Sequence, residues 1–198
     1  MRTDWLLKPD NMAIEEIKKL KILNRLKSVY RANSLDSRKE SAAEHTWSAL
    51  MLADYYASLV TQNLNMLRVY QLLMYHDIVE IFAGDTPVDP ANDIEEQKKK
   101  ELLAAEKLRG ELPDSLQNKY WGLFTEFETE HTLEAQFARA IDTLDAMIQA
   151  LDYREDWIGW SKEFLVSRKE KHFIVFPELL KEFHQLVDYL VAEGYFSQ

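Results

Sequence analysis

The chain contains no cysteine, only 5 glycines and 5 prolines, and fewer basic than acidic residues. The absence of cysteine excludes disulfide bonds and thiolate ligands, so a metal would have to bind histidine and carboxylate groups. The formal net charge of −10 argues against binding to a nucleic-acid polymer, which requires a basic surface. No segment approaches the roughly 20 apolar residues of a membrane span, and Met1–Pro9 lacks the apolar core of a signal peptide. We therefore expect a cytoplasmic protein that does not bind membranes.

The scarcity of glycine and proline leaves long uninterrupted stretches in which apolar residues recur at helical spacing. Alternating β-branched runs are few, and 198 residues are enough for one sizeable core. The sequence therefore predicts an all-α, single-domain helical bundle over residues 1–198. Its first helix is predicted at 12–29 and is followed by a polar loop at 30–39. The motif-bearing core covers about 12–153, and C-terminal helices over 156–194 complete it.

One stretch, LLMYHDIVEIFAGDTPV at residues 72–88, places ionisable residues in an apolar run. His76 and Glu80 are four residues apart and Asp77 and Glu80 three, so a helix would present all three around one face. Buried helices seldom carry such groups unless these are paired or bind a metal. An internal ion-pair network is the alternative. Asp85, just after a glycine that would end the helix, is either part of the site or a plain turn residue.

A second candidate lies well upstream, at the start of another predicted helix. Ser41 and Glu44 have the spacing of a capping box, and the helix that they begin is predicted to reach about Asn63. His45 follows directly in the first turn. A histidine at such a rigid position, beside small neighbours, is either a ligand or simply packed.

A third candidate is Asp142, on the broadly apolar surface of a helix predicted for residues 132–153. A carboxylate on such a surface needs a partner, and Arg139 is the local alternative to a metal. Ligands from three different helices could meet only inside a bundle, where they would leave coordination positions open for water and substrate. Spacing alone does not establish that they meet. The candidate metal set is His45, His76, Asp77 and Asp142.

These residues lie in segments that resemble the HD-domain metal-dependent phosphohydrolases and, within that family, the 5′-deoxynucleotidase branch. The resemblance extends over roughly residues 17–153. Each segment is short, but their order and separation together are specific. In chain order they read LKILNRLKSVYR, ESAAEHTWSALMLA, MYHDIVEIFAGDTP and ARAIDTLDAMIQA.

The resemblance implies an all-α fold, a small nucleotide as substrate, a homodimer and one divalent transition metal ion bound by the four candidate ligands. Cobalt, manganese, iron, nickel and zinc all suit a set of histidine and carboxylate ligands. The resemblance also implies Glu80 and Asp85 as the acid–base pair and Arg25 as the residue that contacts the phosphate. From its position alone, Arg25 is equally a solvated residue near a helix end.

The predicted reaction removes the 5′-phosphate from nucleoside monophosphates, chiefly the deoxynucleoside forms, by attack of metal-bound hydroxide. A divalent cation lowers the pKa of bound water from 15.7 to roughly 7–9 and neutralises the substrate phosphate. Glu80 would orient or deprotonate the water, and Asp85 would assist the leaving alkoxide, although these roles could be exchanged.

Two features keep alternatives open. Leu26 stands where the characterised bacterial deoxynucleotidases often have a tryptophan near the sugar, so phosphate-ester hydrolysis is better supported than deoxyribose selectivity. The segment after Tyr153 matches the family poorly. One alternative is a related hydrolase of another phosphorylated nucleotide or small metabolite, and the other is a non-catalytic, metal-stabilised binding module.

Overall fold

The structure, a computed structural model, describes residues 10–85 and 94–196. The predicted all-α class is confirmed, because the described elements are helical apart from one two-stranded hairpin. None of the described helices is long and apolar enough to cross a membrane. In chain order the elements are α1 (Asp10–Leu20), a 3-10 helix (Lys21–Ser28), β1 (Tyr30–Leu35), β2 (Arg38–Ser41), α2 (Ala42–Ala57), α3 (Met66–Tyr75), a 3-10 turn (His76–Val79), α4 (Glu80–Ala83), α5 (Ile94–Glu111), α6 (Asp114–Thr129), α7 (Leu133–Gln149), two 3-10 turns (Ala150–Asp152 and Arg154–Trp157), α8 (Lys162–Lys169), a 3-10 turn (Glu170–His172) and α9 (Pro177–Ala192).

The helix starts follow local capping chemistry. The Ser41 hydroxyl accepts a hydrogen bond from the Glu44 amide, and the Glu44 carboxylate accepts one from the Ser41 amide, which is the predicted capping box of α2. The Asn65 side chain accepts a hydrogen bond from the Arg68 amide at the start of α3, and Pro177 occupies the first turn of α9. Helix α2 ends at Ala57, earlier than predicted.

The segment predicted as a polar loop at 30–39 is instead the antiparallel hairpin β1–β2. Its sequence lacks the apolar alternation of an ordinary strand, and two of its amides donate to side chains from elsewhere in the fold. The Ala32 amide donates to Asp85 at 2.9 Å, and the Ser34 amide donates to Asp156 at 2.6 Å. Long-range contacts therefore override the local sequence signal.

The predicted helix at 12–29 is divided into α1 and a 3-10 helix. The apolar side chains of α1 remain exposed: Ile14 is 50% exposed, Ile17 59% and Leu20 42%. Leu26, by contrast, is buried. The amphipathic pattern thus indicated helix correctly, but it indicated burial correctly only toward the end of the segment.

Two apolar clusters form the core, and the candidate site lies between them. The first packs α2, α3 and α7 against the C-terminal helices, with Leu72 and Phe137 fully buried. The second joins Leu26 and Ile78 to α5 and α6. His45 lies on α2 between Ala42 of the second cluster and Ala49 of the first, a position that leaves it completely buried.

The C-terminal segment packs onto the first cluster. The rings of Phe137 and Phe176 meet edge to face with centroids 5.4 Å apart, and those of Phe173 and Phe183 stack at 4.8 Å. The Trp157 indole donates to the Ala150 carbonyl at 2.9 Å. These contacts agree with C-terminal helices that complete the bundle, and the single-domain organisation stays a prediction.

Candidate active site

Side chains from three distant segments meet at the boundary between the two apolar clusters. Nε2 of His45 lies 3.0 Å from Oδ1 of Asp142 and 3.3 Å from Nε2 of His76. These three residues offer ligand atoms that all lie within 4.8 Å of one another. Asp77 adjoins them, with Oδ1 3.0 Å from Nε2 of His76. The structure therefore brings the four candidate ligands into one place.

The helical geometry changes at the segment that contains His76 and Asp77. One continuous helix is predicted here, but α3 ends at Tyr75 and His76–Val79 forms a 3-10 turn before α4. Nδ1 of His76 donates to the Leu73 carbonyl at 2.7 Å. In a regular α-helix that carbonyl would accept from the amide of residue 77. The histidine side chain thus bonds to the backbone at the point where the helix changes its pitch.

Hydrogen bonds on the far side of each imidazole fix its orientation. Nδ1 of His45 lies 2.7 Å from Oδ2 of Asp145, which also accepts from the Ser48 hydroxyl at 2.9 Å. His76 is held through its bond to the Leu73 carbonyl. In both rings this leaves Nε2 directed at the candidate ligand group, as in metal sites whose histidines are oriented by outer partners.

The electrostatics show a site with surplus negative charge. Burial and Arg31 lower the pKa of His45, but hydrogen bonds to Asp142 and Asp145 outweigh them and raise it to about 10. Burial raises the pKa of Asp142, yet the two histidines hold it well below its usual range. The carboxylates thus stabilise a positive charge between them and the histidines. A proton on His45 supplies such a charge, and a bound divalent cation would supply it as well.

The donor set fits a divalent cation on geometric grounds as well. Ligand bonds of roughly 2.0–2.2 Å separate neighbouring ligand atoms by about 3 Å. The separations between His45 and Asp142, His45 and His76, and His76 and Asp77 are 3.0, 3.3 and 3.0 Å. Two histidine nitrogens and two carboxylates suit a transition metal better than calcium.

Arg31 was not among the predicted site residues, although it lies in one of the family-like segments. From β1 it places Nη1 3.1 Å from Oδ2 of Asp77 and Nε 3.5 Å from Oε2 of Glu40. Burial lowers its pKa, but the carboxylates of Asp77, Asp142 and neighbouring residues raise it overall. Its place in the site was missed because residues 30–39 were predicted as a polar loop.

Glu80 and Asp85 line the same cavity as His76, Asp77 and Asp142. Burial, together with the charges of Asp77 and Asp85, raises the pKa of Glu80 to about 9, and its Oε2 has no hydrogen-bond partner among the described residues. Burial also raises the pKa of Asp85, which accepts a hydrogen bond from the Ala32 amide at 2.9 Å. The site therefore holds two carboxyl groups that favour protonation.

Arg25 lies outside this cavity, in a neighbouring groove. The groove is also lined by Tyr30, Glu80 and Asp85, so the two spaces share the acid–base candidates. Arg25 is exposed, with its guanidinium carbon 5.2 Å from the centroid of the Phe82 ring. Among the described residues the structure thus places Arg25 beside the predicted acid–base pair, whereas the four candidate ligands lie deeper.

Leu26, the position that departs from the usual tryptophan, packs into the second apolar cluster and is only 7% exposed. Its side chain therefore serves the core beneath the groove. A buried leucine at this position offers a bound sugar little contact surface.

Comparison with known proteins agrees with the fold and the motifs. The chain matches the HD domain family over residues 23–179. It is 31% identical over 183 residues to the 5′-deoxynucleotidase HDDC2 of Bos taurus, which covers 88% of this chain and 83% of that protein. It is 30% identical over 155 residues to the 5′-deoxynucleotidase YfbR of Escherichia coli O1:K1, which covers 74% of this chain and 76% of the relative.

A solved structure is similar over nearly the whole chain. The crystal structure of a predicted metal-dependent phosphohydrolase from Magnetospirillum magnetotacticum has a TM-score of 0.85 and 28% identity. The match covers 97% of this chain and 100% of that one. It therefore extends through the C-terminal segment, where the sequence resemblance was poor. With its motifs, its fold and these relatives in agreement, the chain belongs to the HD-domain family of metal-dependent phosphohydrolases.

Proposed function

We propose that this protein removes the 5′-phosphate from nucleoside monophosphates, with the deoxynucleoside forms as preferred substrates. The observation that carries the proposal is the convergence of His45, His76 and Asp142, with Asp77 alongside, next to a cavity that is also lined by Glu80. The relatives named 5′-deoxynucleotidase support the same reaction.

One divalent ion of cobalt, manganese, iron, nickel or zinc would be held by the four candidate ligands, His45, His76, Asp77 and Asp142. Such an ion, when bound, makes a water molecule more acidic and neutralises the substrate phosphate. The protein contributes the orientation of both imidazoles, through Asp145 and the Leu73 carbonyl. Arg31 holds the second oxygen of Asp77, which leaves its Oδ1 turned toward His76.

Glu80 and Asp85 would move the protons. Glu80, ionised once a bound cation lowers its pKa, would accept a proton from the attacking water, and Asp85 would donate one to the leaving 5′-oxygen, with the two roles interchangeable. Burial raises the pKa of both carboxyl groups, so each can hold a proton closer to neutral pH than an exposed carboxyl can. Arg25 would bind phosphate oxygens from the adjoining groove, where a guanidinium can form paired hydrogen bonds.

The test is phosphate release from a panel of nucleoside mono-, di- and triphosphates in ribo and deoxy forms. The protein would be stripped with a chelator and then reloaded with cobalt or manganese. We expect release from 5′-monophosphates, faster for the deoxy forms, which is lost with the chelator and restored by the metal. Turnover of triphosphates alone would favour a different HD-type hydrolase, and bound metal without turnover of any phosphate ester would favour a binding module.

Three variants separate metal binding from proton transfer. Asp77→Ala should lose the metal, whereas Glu80→Gln should keep it and lose roughly 10²–10⁴-fold in turnover, the usual contribution of a general acid or base. Glu101→Gln is the matched control, because Glu101 lines the same cavity but bonds to Gln97 at 2.9 Å. An Asp77→Ala variant that retains both metal and activity would overturn the site.

A homodimer and a cytoplasmic location belong to the same proposal. The exposed apolar residues of α2, Trp47, Met51 and Tyr55, support association with a second copy, because they recur every four residues along one face. The cytoplasmic location rests on the sequence prediction.

A further inference from the structure

The catalytic cavity, which contains His76, Asp77, Glu80 and Asp142, adjoins a second space that we call the side cavity. Five residues line both spaces, so no wall of side chains separates them completely. The shared residues are Arg31, Asp85, Thr143, Ala146 and Lys169. A ligand larger than phosphate could therefore occupy both.

Lys169, the last residue of α8, differs from the other cations of the catalytic cavity. Arg31 pairs with Asp77 at 3.1 Å, and Arg139 pairs with Glu128 at 2.9 Å. Among the described residues, the Lys169 ammonium has no carboxylate within 4.0 Å and no hydrogen bond. Burial lowers its pKa, although the charge of Asp142 opposes this. A partly buried ammonium without a protein anion is available to an anionic ligand.

The side cavity has the lining of a site for an organic group. Met147, Trp157, Trp160 and Leu165 supply apolar and aromatic surface. Trp160 is half-buried, with its ring 6.1 Å from that of Trp157. Apolar walls with a few polar groups are typical of small-molecule pockets.

Polar groups stand at the edge of this lining. The Asn33 side-chain amide donates to the Ala146 carbonyl at 3.0 Å, and its own carbonyl oxygen has no hydrogen bond to any residue that the structure describes, so it can accept one from a ligand. Such a fixed acceptor beside aromatic rings suits a planar group with N–H donors, and aromatic side chains commonly stack on nucleobases.

We infer that the substrate lies across this boundary, with its phosphate against the Lys169 ammonium in the catalytic cavity and its organic group in the side cavity. The inference rests on the proposed function and adds that the segment after Tyr153 supplies substrate contacts. It also defines the substrate class as phosphate esters that carry a planar, apolar-faced group such as a nucleobase. In this arrangement α8 positions both ends of the substrate.

The first test measures binding of inorganic phosphate to the metal-loaded protein by calorimetry and by product inhibition. Lys169→Met should weaken phosphate binding by roughly ten- to hundredfold, the range for a hydrogen bond to a charged group, and should raise KM more than it lowers kcat. Lys169→Arg keeps the charge and should restore much of the binding. Lys162→Met is the matched control on the same helix, where Lys162 is exposed and lies 3.4 Å from Asp188.

The second test concerns the organic group. Trp160→Leu should raise KM for a deoxynucleoside monophosphate by roughly tenfold, within the range for loss of one base-stacking contact. It should leave the binding of inorganic phosphate unchanged. Trp121→Leu is the control, because Trp121 is also half-buried but packs against Phe124 on α6.

The outcomes separate this inference from the proposed function. If the wild-type protein hydrolyses nucleotides but Lys169→Met binds inorganic phosphate normally, or Trp160→Leu keeps its KM, the inference is wrong and the proposed function stands. If the wild-type protein releases no phosphate, the proposed function is wrong. In that case weaker binding of inorganic phosphate to Lys169→Met than to Lys162→Met would still support the Lys169 contact, and equal binding would overturn it.

Discussion

Nδ1 of His45 lies 2.7 Å from Oδ2 of Asp145, a carboxylate three residues beyond the candidate ligand Asp142 on the same helix. One helix thus supplies both a candidate ligand and the group that orients another ligand. Asp145 is buried and also accepts a hydrogen bond from Ser48, so its own position is fixed. Movement of α7 would therefore disturb two of the four candidate ligands together.

The first prediction follows from this arrangement. Asp145→Asn should weaken binding of a divalent cation by roughly 10–100-fold, because partners behind a ligating histidine commonly contribute that much. Calorimetric titration of the chelator-treated protein with manganese or cobalt measures the change. Asp152→Asn, an exposed change close by in the chain, serves as the control. Equal affinity of the Asp145 variant and the wild type would contradict the orienting role.

The second prediction concerns pH and the buried carboxyl group of Glu40. Burial raises its pKa to about 7, although His45 and Arg31 oppose the change. Because the unfolded chain ionises near 4.5, the folded state loses stability as pH rises from that value to about 7. Glu40→Gln avoids this loss, so its free energy of unfolding should rise relative to the wild type, by at most about 3 kcal/mol.

Urea unfolding at about pH 5 and about pH 8 measures the difference between Glu40→Gln and the wild type. The advantage of the variant should be small at the lower pH, grow through the window and stay constant above it. An advantage that is constant over the whole range, or that shrinks as pH rises, would show that Glu40 does not resist ionisation in the fold.

The third prediction tests whether the chain folds as one unit. Phe176→Ala removes a fully buried ring that packs against Phe137 and should cost about 3–5 kcal/mol. If the C-terminal helices complete the bundle, thermal unfolding should remain a single cooperative transition at lower temperature. Ile174→Ala, at a side chain that is 61% exposed, should have little effect. Two separate transitions would show that residues after about 156 form an independent unit.

The fourth prediction concerns the exposed apolar face of α2. Trp47, Met51 and Tyr55 are 67%, 56% and 61% exposed, and a second copy of the chain would bury them. Met51→Asp should therefore convert the predicted homodimer into a monomer, as measured by light scattering during gel filtration. Leu103→Asp places the same charge at a side chain that is 67% exposed on α5 and should leave the dimer intact. A monomeric wild type would end this proposal.

Local chemistry explains what could be predicted from the sequence. The capping box of Ser41 and Glu44 needs only neighbouring residues, and the structure contains it. Gly84 and Gly194 adopt positive φ values of 71° and 68° where helices were predicted to end. The family-like segments made His45, His76, Asp77 and Asp142 visible as a set. Their convergence depends on how whole helices pack together, and the spacing of residues in the sequence carries no information about that packing.

The features that could not be predicted from the sequence depend on contacts between residues that are far apart along the chain. The hairpin lacks apolar alternation, and Asp85 and Asp156, which accept hydrogen bonds from its amides, are not neighbours in sequence. For the same reason Arg31 and Lys169 were not singled out, whereas Arg25 was selected because it lies in a segment that resembles the family. A lysine or arginine can be assigned to a site only when the three-dimensional structure shows whether carboxylates lie near it.

Strand β1 contacts two different residues of the candidate site through neighbouring positions. Arg31 directs its side chain to Asp77, while the next residue, Ala32, uses its backbone amide to hold Asp85. Because successive side chains of a strand point to opposite sides, a register shift of one residue would turn the side chain at the position of Arg31 away from Asp77. An insertion or deletion within β1 would therefore remove the ion pair between Arg31 and Asp77 without altering any of the candidate ligands.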